Sequence, residues 1–280
     1  MVRAGSDPRP GGPAAVGFVF GVLQAEAVPG PVLVRLIADT GMAEPATRTM
    51  LSRMVRGGRL STTRHGRVAV YQLAGGFRDQ FFRVRHADER PSWTGSFHTI
   101  LYDIPETRRA DRDGLRDRAA EAGFGSVRPG LLIGLADPAG WITPWSERSG
   151  ILVEAATLGC SIPTARRLAE RAWSLAELAT ALERFVDQLQ AIGDQYHDGP
   201  PNGRDAFMIL NTTMRSYAGL YLRMPTVPDE LTPPGWPGRR IPTALGRVSD
   251  LLGPVAADHA RSAVSDLELD HLVEPIHDRQ

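Results

Sequence analysis

Pro45-Ala-Thr-Arg48-Thr-Met-Leu-Ser-Arg53-Met-Val-Arg56 reads as a helix, and Gly57-Gly58 stops it. The continuation, Arg59-Leu-Ser-Thr-Thr-Arg64-His-Gly66-Arg67-Val-Ala-Val-Tyr71, reads as two strands, 60–63 and 68–73, around a tight turn at His65-Gly66. From Pro45 to Arg78 there are seven arginines, five glycines and no acidic residue. A basic helix followed by a basic hairpin is what a winged helix-turn-helix presents to double-stranded DNA.

The pattern within the helix supports this reading. Ala46, Met50, Leu51, Met54 and Val55 recur at helical spacing and are expected to face a small core. Arg48, Thr49, Ser52, Arg53 and Arg56 form the opposite face, which is expected to enter the major groove. Arginine suits this role because its planar fork donates two hydrogen bonds at once to a guanine edge or a phosphate. At the tip of the hairpin, Arg64, His65 and Arg67 are expected to touch phosphate or the minor groove, with Gly66 supplying a positive φ. Tyr71 is read as a core residue.

Working toward the N-terminus, a helix is expected over 14–26 and a second over 31–39, separated by Pro29-Gly30-Pro31. Glu44-Pro45 then opens the basic helix, with an acid and a proline in its first turn. The ten-residue apolar run at 14–23, followed by Ala25-Glu-Ala27, imitates a secretory leader. It fits better as the first core helix of the DNA-binding domain, and a cytoplasmic protein is expected. No apolar stretch approaches the ~20 residues that a membrane span needs.

Toward the C-terminus, Gly75-Gly76 and the phenylalanines at 77, 81 and 82 open a connector. Ser96-Phe-His-Thr-Ile-Leu-Tyr102 is a strand ending at Asp103, 106–122 a charged helix, and 131–135 and 150–156 further strands. This traffic predicts a small ferredoxin-like α+β unit. From about residue 159 the chain is helical, over 163–171, 175–191, 205–223 and 242–263, with a proline-rich loop around Trp236. The expected architecture is α+β: a tail at 1–13, a winged helix at 14–75, a connector at 76–92, a ferredoxin-like domain at 93–158, an all-helical domain at 159–264 and a polar tail at 265–280.

The bulk composition agrees. The 280 residues allow two or three domains, and the formal net charge of zero hides an asymmetry. Residues 1–90 hold 13 arginines against 7 acids, and the remainder 19 against 25. A basic end on an acidic body points to a polyanionic partner. All 32 basic residues are arginine. The single cysteine, Cys160, excludes an intramolecular disulfide and a cysteine-based zinc cluster, and its apolar neighbours mark it as a buried thiol.

These landmarks resemble, in this order, the PaaX-like transcriptional repressors. The resemblance rests on Ala46-Thr-Arg48 through Leu60, on Arg64-His-Gly66-Arg67-Val-Ala-Val-Tyr71-Gln-Leu73, and on Arg112-Asp-Gly-Leu through Gly123-Phe124-Gly125-Ser-Val-Arg-Pro129-Gly130. Ala172-Trp173-Ser-Leu175 and Leu231-Thr-Pro-Pro-Gly-Trp236-Pro-Gly238 complete it. It implies a homodimer whose middle domain dimerises and whose helical domain binds an effector, an acyl-coenzyme A thioester in the best-understood members. Tyr217 to Met224 departs from the more polar stretch of the relatives, so the effector itself is left open.

Other candidates are weaker. Ile100-Leu-Tyr102-Asp103-Ile104-Pro105 is similar to the start of a small ferredoxin-like CRISPR-associated nuclease, which makes a metal-dependent nuclease using Asp103 the alternative function. A carboxylate that ends a strand with Arg108 and Arg109 nearby is more plainly a turn residue or an ion pair. Glu268, Asp270, His271, His277 and Asp278 match no metal-ligand spacing, and Gly123-Phe-Gly125 lacks the third glycine of a dinucleotide loop. No hydrolase or phosphate-loop motif is present, so neither an enzyme nor a cofactor is expected. Trp236 reads either as a packing anchor or as a wall of an effector pocket; Arg215, Arg223, Arg239 and Arg240 read as surface residues or as partners of coenzyme A phosphates.

Overall fold

In the computed structural model the N-terminal apolar run is α1 (Pro13–Leu23), a helix covered on more than one side. Ala15, Val16, Val19 and Phe20 have no exposure. Phe18 lies edge-to-face on Phe207, with ring centroids 5.0 Å apart. A helix enclosed this way has no polar face, which explains its likeness to a leader. The structure describes residues 12–85, 92–221 and 227–276. Residues 1–11 of the expected tail at 1–13, connector residues 86–91, Arg223, Met224, His277 and Asp278 lie outside the described residues.

Gln24, at a left-handed φ of 50°, ends α1 three residues short of the expected helix end. Ala25–Pro29 is strand β1, and it leads directly into α2 (Gly30–Asp39) and α3 (Glu44–Arg56). The hairpin follows as β2 (Leu60–His65) and β3 (Val68–Leu73), and β1 pairs antiparallel with β3 in the register Val28↔Tyr71. The order α1-β1-α2-α3-β2-β3 is that of a winged helix. The hairpin register closes on His65↔Val68, leaving Gly66-Arg67 as a two-residue loop. Gly66 takes φ 60°, as the first position of such a loop favours. Tyr71 is half-buried.

The inner face of α3 differs in detail from the expected stripe. Leu51 and Met54 are buried, but Thr47 is fully buried and Ala46 is exposed. Thr47, Leu51 and Met54 at i, i+4 and i+7 are the residues that face inward. Thr47 is tolerated there because its hydroxyl donates to the Ala43 carbonyl at 3.3 Å. The two glycine pairs of the basic block meet at the base of the wing, where α4 (Gly75–Arg85) begins. A Cβ on Gly75, which has φ 51°, would lie 2.8 Å from the Gly58 carbonyl oxygen.

The middle of the chain forms β4 (Ser96–Asp103), α5 (Arg109–Glu121), β5 (Gly125–Arg128), β6 (Leu131–Gly134), α6 (Ala139–Ser146) and β7 (Leu152–Gly159). The sheet order β5-β6-β4-β7, antiparallel throughout, is the ferredoxin-like arrangement. Its core joins Ile100, Tyr102, Leu115, Phe124, Leu132, Ile142 and Val153. Sequence reading missed β5 and α6. The short helix carries Pro144, and it is held by Trp145, whose indole donates to the Asp111 carbonyl at 3.2 Å.

The helix α7 (Ile162–Trp173) packs on β5, with Arg171 donating to the Val127 carbonyl at 2.8 Å. A Cβ on Gly125 would lie 2.5 Å from the Ala172 carbonyl oxygen and 2.7 Å from the Trp173 indole nitrogen. Gly123-Phe-Gly125 and Ala172-Trp173 are therefore one packed junction, not two separate motifs. The proline-rich loop joins the same unit: Trp236 is buried, and Arg166 on α7 donates to the Glu230 carbonyl at 2.7 Å. Trp236 serves there as a packing anchor.

The remaining elements are α8 (Leu175–Gln195), α9 (Gly203–Tyr221), α10 (Ile241–Ser265) and β8 (Glu274–Pro275). The chain divides into two compact units: 1–87 with 185–222 and 240–280, and 88–184 with 223–239. α9 and α10 thus share a unit with the winged helix, and β8 extends its sheet to the order β2-β3-β1-β8. Asp39, at the end of α2, fastens this arrangement. Its carboxylate accepts from Arg204 Nε on α9 at 2.9 Å and lies 2.9 Å from His259 Nε2 on α10. Asp39→Ala removes both contacts. It is expected to destabilise the chain by about 1–3 kcal/mol, visible as a melting point lower by several degrees; an unchanged melting point would contradict the clamp.

Candidate nucleic-acid interface

The outer face of α3 is free of the core. Arg48, Thr49, Ser52, Arg53 and Arg56 are all exposed, one or one-and-a-bit turns apart on the same side. Thr49 donates to the Pro45 carbonyl at 2.8 Å, which fixes its hydroxyl and leaves its lone pairs outward. Arg48 has only a 3.5 Å contact with Glu44, both side chains being more than half exposed. Such a pair contributes little to stability and yields readily to a phosphate.

The wing stands beside this helix. β2 is the outer strand of its sheet, and after Leu60 all its residues are exposed, Arg64 and His65 included. Arg67 follows in the loop, also exposed. Arg53, Arg56, Arg64 and Arg67 have no ion-pair partner among the described residues. Their charges are therefore uncompensated locally, which is costly for folding and favourable for binding a polyanion.

Two arginines of the basic block have other work. Arg59 lies over the Phe77 ring, 4.9 Å from its centroid, and Arg78 over Phe82 at 5.2 Å. The first of these cation–π contacts joins the base of the wing to α4, and the second lies within α4 itself. Sequence reading did not separate them from the outward-facing arginines, because the separation depends on where α4 packs.

The other candidates do not assemble into a site. Asp103 is exposed at the end of β4. The nearby Glu106 accepts from Arg112 at 2.7 Å, and that hydrogen bond holds its carboxyl below the usual range. Among the described residues no group of three or more His, Cys, Asp or Glu side chains is placed to hold a metal ion. Asp270 accepts from Ser265 at 2.8 Å. Arg239 pairs with Asp229 at 3.4 Å. Burial pushes the Cys160 thiol up, which lowers its reactivity at neutral pH. No helix of the described residues is long and apolar enough to cross a membrane.

Comparison with known proteins bears on this arrangement. Residues 20–76 match the family model of a PaaX-like protein, 90–166 that of the PaaX protein central Cas2-like domain, and 173–262 that of the PaaX-like protein C-terminal domain. The chain belongs to the PaaX-like family. The first PaaX-like segment contains α2, α3 and the wing, and the second contains the ferredoxin-like sheet. The chain is 24% identical over 222 residues to the transcriptional repressor PaaX of Escherichia coli (strain K12), covering 74% of this chain and 68% of that one. Its fold is similar to that of the uncharacterized protein Rv0674 from Mycobacterium tuberculosis, with a TM-score of 0.57 and 23% identity over 88% of this chain and 96% of that one.

Proposed function

We propose that this PaaX-like chain is a DNA-binding transcriptional repressor, not an enzyme, and that it acts in the cytoplasm. The observation that carries the proposal is the exposed face of α3 beside an arginine-tipped wing, where Arg53, Arg56, Arg64 and Arg67 have no ion-pair partner among the described residues and Arg48 has only its long, exposed contact with Glu44. Arg48, Thr49, Ser52 and Arg53 read base edges, while Arg56, Arg64, His65 and Arg67 hold phosphate or the minor groove. The name of the E. coli relative supports the same reading.

The chain acts as a homodimer through its ferredoxin-like domain. Two copies of α3 then lie in successive major grooves, about 34 Å apart, on an inverted-repeat operator. A small-molecule effector, an acyl-coenzyme A thioester or another organic anion, releases the DNA by favouring a different arrangement of the dimer.

The test is a titration of duplex operator DNA with the intact chain at several salt concentrations. Two chains are expected per operator. The affinity is expected to fall by about 10³-fold or more between 50 and 200 mM salt, since each neutralised phosphate releases condensed counterions. Binding indifferent to salt, or no binding, would contradict the proposal.

A further inference from the structure

A cavity of about 570 Å³ opens within the unit that holds the winged helix, between α1, α4, α9 and α10. Its volume is that of a small-molecule site. The space exists because its walls are built from small residues where helices usually carry large ones. Gly17 and Gly21 stand one turn apart on α1, and Gly253 and Pro254 lie inside α10 along another wall. Pro254 lacks the N–H that a helix interior uses, which costs stability. The phenyl rings of α4 close one side: a Cβ on Gly17 would lie 3.5 Å from Phe77, and one on Gly21 would lie 3.7 Å from Phe81.

The charge of the walls is one-sided. Arg85, Arg215 and Arg261 line the cavity, and among the described residues no carboxylate does. Arg85 donates one bond, 2.7 Å long, to the neutral Gln24 amide, so this contact leaves its charge uncompensated. Arg261 is shared with Asp258, outside the lining.

We infer that this cavity is a binding site for a small organic anion, an acidic group on an apolar aryl or branched alkyl body. The inference deepens the repressor reading and rests on it for its consequence. One wall of the cavity, α1, belongs to the winged helix, and another, α4, follows directly from the wing. α4 starts at the Gly58–Gly75 junction beneath the wing and is tied to it by Arg59 over Phe77. An anion that binds better when α4 is displaced from α10 therefore weakens the DNA-competent position of the wing.

The test uses two fluorescent probes with the same aromatic body, the anionic 1-anilinonaphthalene-8-sulfonate and the neutral N-phenyl-1-naphthylamine, on the full chain. The anion is expected to bind one molecule per chain, about tenfold or more tighter than the neutral probe, as a charge-assisted contact provides. Gly21→Leu on α1 and Ala218→Leu on α9 fill the cavity and are expected to weaken the anion about tenfold or more. Arg85→Gln is expected to reduce the preference for the anion. Both probes bound alike, several anions per chain, or no loss in a filled variant with an intact melting transition would overturn the site, whatever DNA binding shows. The bound anion is also expected to lower operator affinity in the unaltered chain and not in a filled variant. An operator affinity unchanged by a bound anion would overturn the coupling, whereas a chain that binds no DNA at all would defeat the repressor reading and leave the probe result standing.

Discussion

Arg48→Ala with Arg53→Ala is expected to reduce operator affinity by about 10²-fold or more while leaving the melting temperature within about a degree. Each bidentate contact of an arginine with a guanine contributes ~1–3 kcal/mol of discrimination. Neither side chain supports the fold: Arg53 has no ion-pair partner among the described residues, and Arg48 has only the long, exposed contact with Glu44. Binding and stability should therefore separate cleanly. The wing is expected to behave differently. Arg64→Ala or Arg67→Ala should weaken all sequences alike and reduce the salt slope by about one. A double variant on α3 that binds as tightly as the parent, measured by fluorescence anisotropy with the selected operator, would remove that helix from the interface.

Gly125→Ala is expected to have the largest effect on folding. The added methyl would stand 2.5 Å from the Ala172 carbonyl oxygen and 2.7 Å from the Trp173 indole nitrogen. These are backbone and a ring wedged against Phe97, whose centroid is 6.1 Å away, so neither neighbour yields as a flexible side-chain end would. The strand β5 must move off α7 or the Arg171–Val127 hydrogen bond must break. A cost of about 1–3 kcal/mol or more is typical of such overpacking. Calorimetry should show the loss in the transition of the unit containing residues 88–184. DNA contacts by α3 lie in the other unit. A variant with the parent's melting profile would contradict the close packing of β5 on α7.

Much of this organisation was legible in the sequence, for local reasons. α3 announced itself by an apolar stripe, an acid and proline at its start and glycines at its end, and the wing by its alternation and its Gly66 turn. The ferredoxin-like unit was legible because β4, α5 and β7 carry strong patterns of their own.

What escaped depends on distant partners. β1, Ala25-Glu-Ala-Val-Pro, has no alternation, since four of its five residues are buried, and it is a strand because β3 lies on one side and β8 on the other. β8 is two residues long and has meaning only as that edge. α6 is short and holds a proline, so only the packing of Trp141 and Trp145 reveals it. The inward turn of Thr47 in place of Ala46 follows from α3's docking on α2, which periodicity fixes only to within a residue. The grouping of α9 and α10 with the winged helix was out of reach for the same reason. It rests on Phe18 meeting Phe207 and on Asp39 meeting Arg204 and His259, pairs far apart in sequence. In the candidate interface the exposed arginines were legible, but the diversion of Arg59 and Arg78 to aromatic rings was not.

The repressor reading is tested most directly by incubating the full chain with fragmented genomic DNA at moderate salt and sequencing what stays bound. One or a few inverted-repeat sites are expected, with half-sites about one helical turn apart. Uniform retention without a motif, or no retention at all, would contradict it.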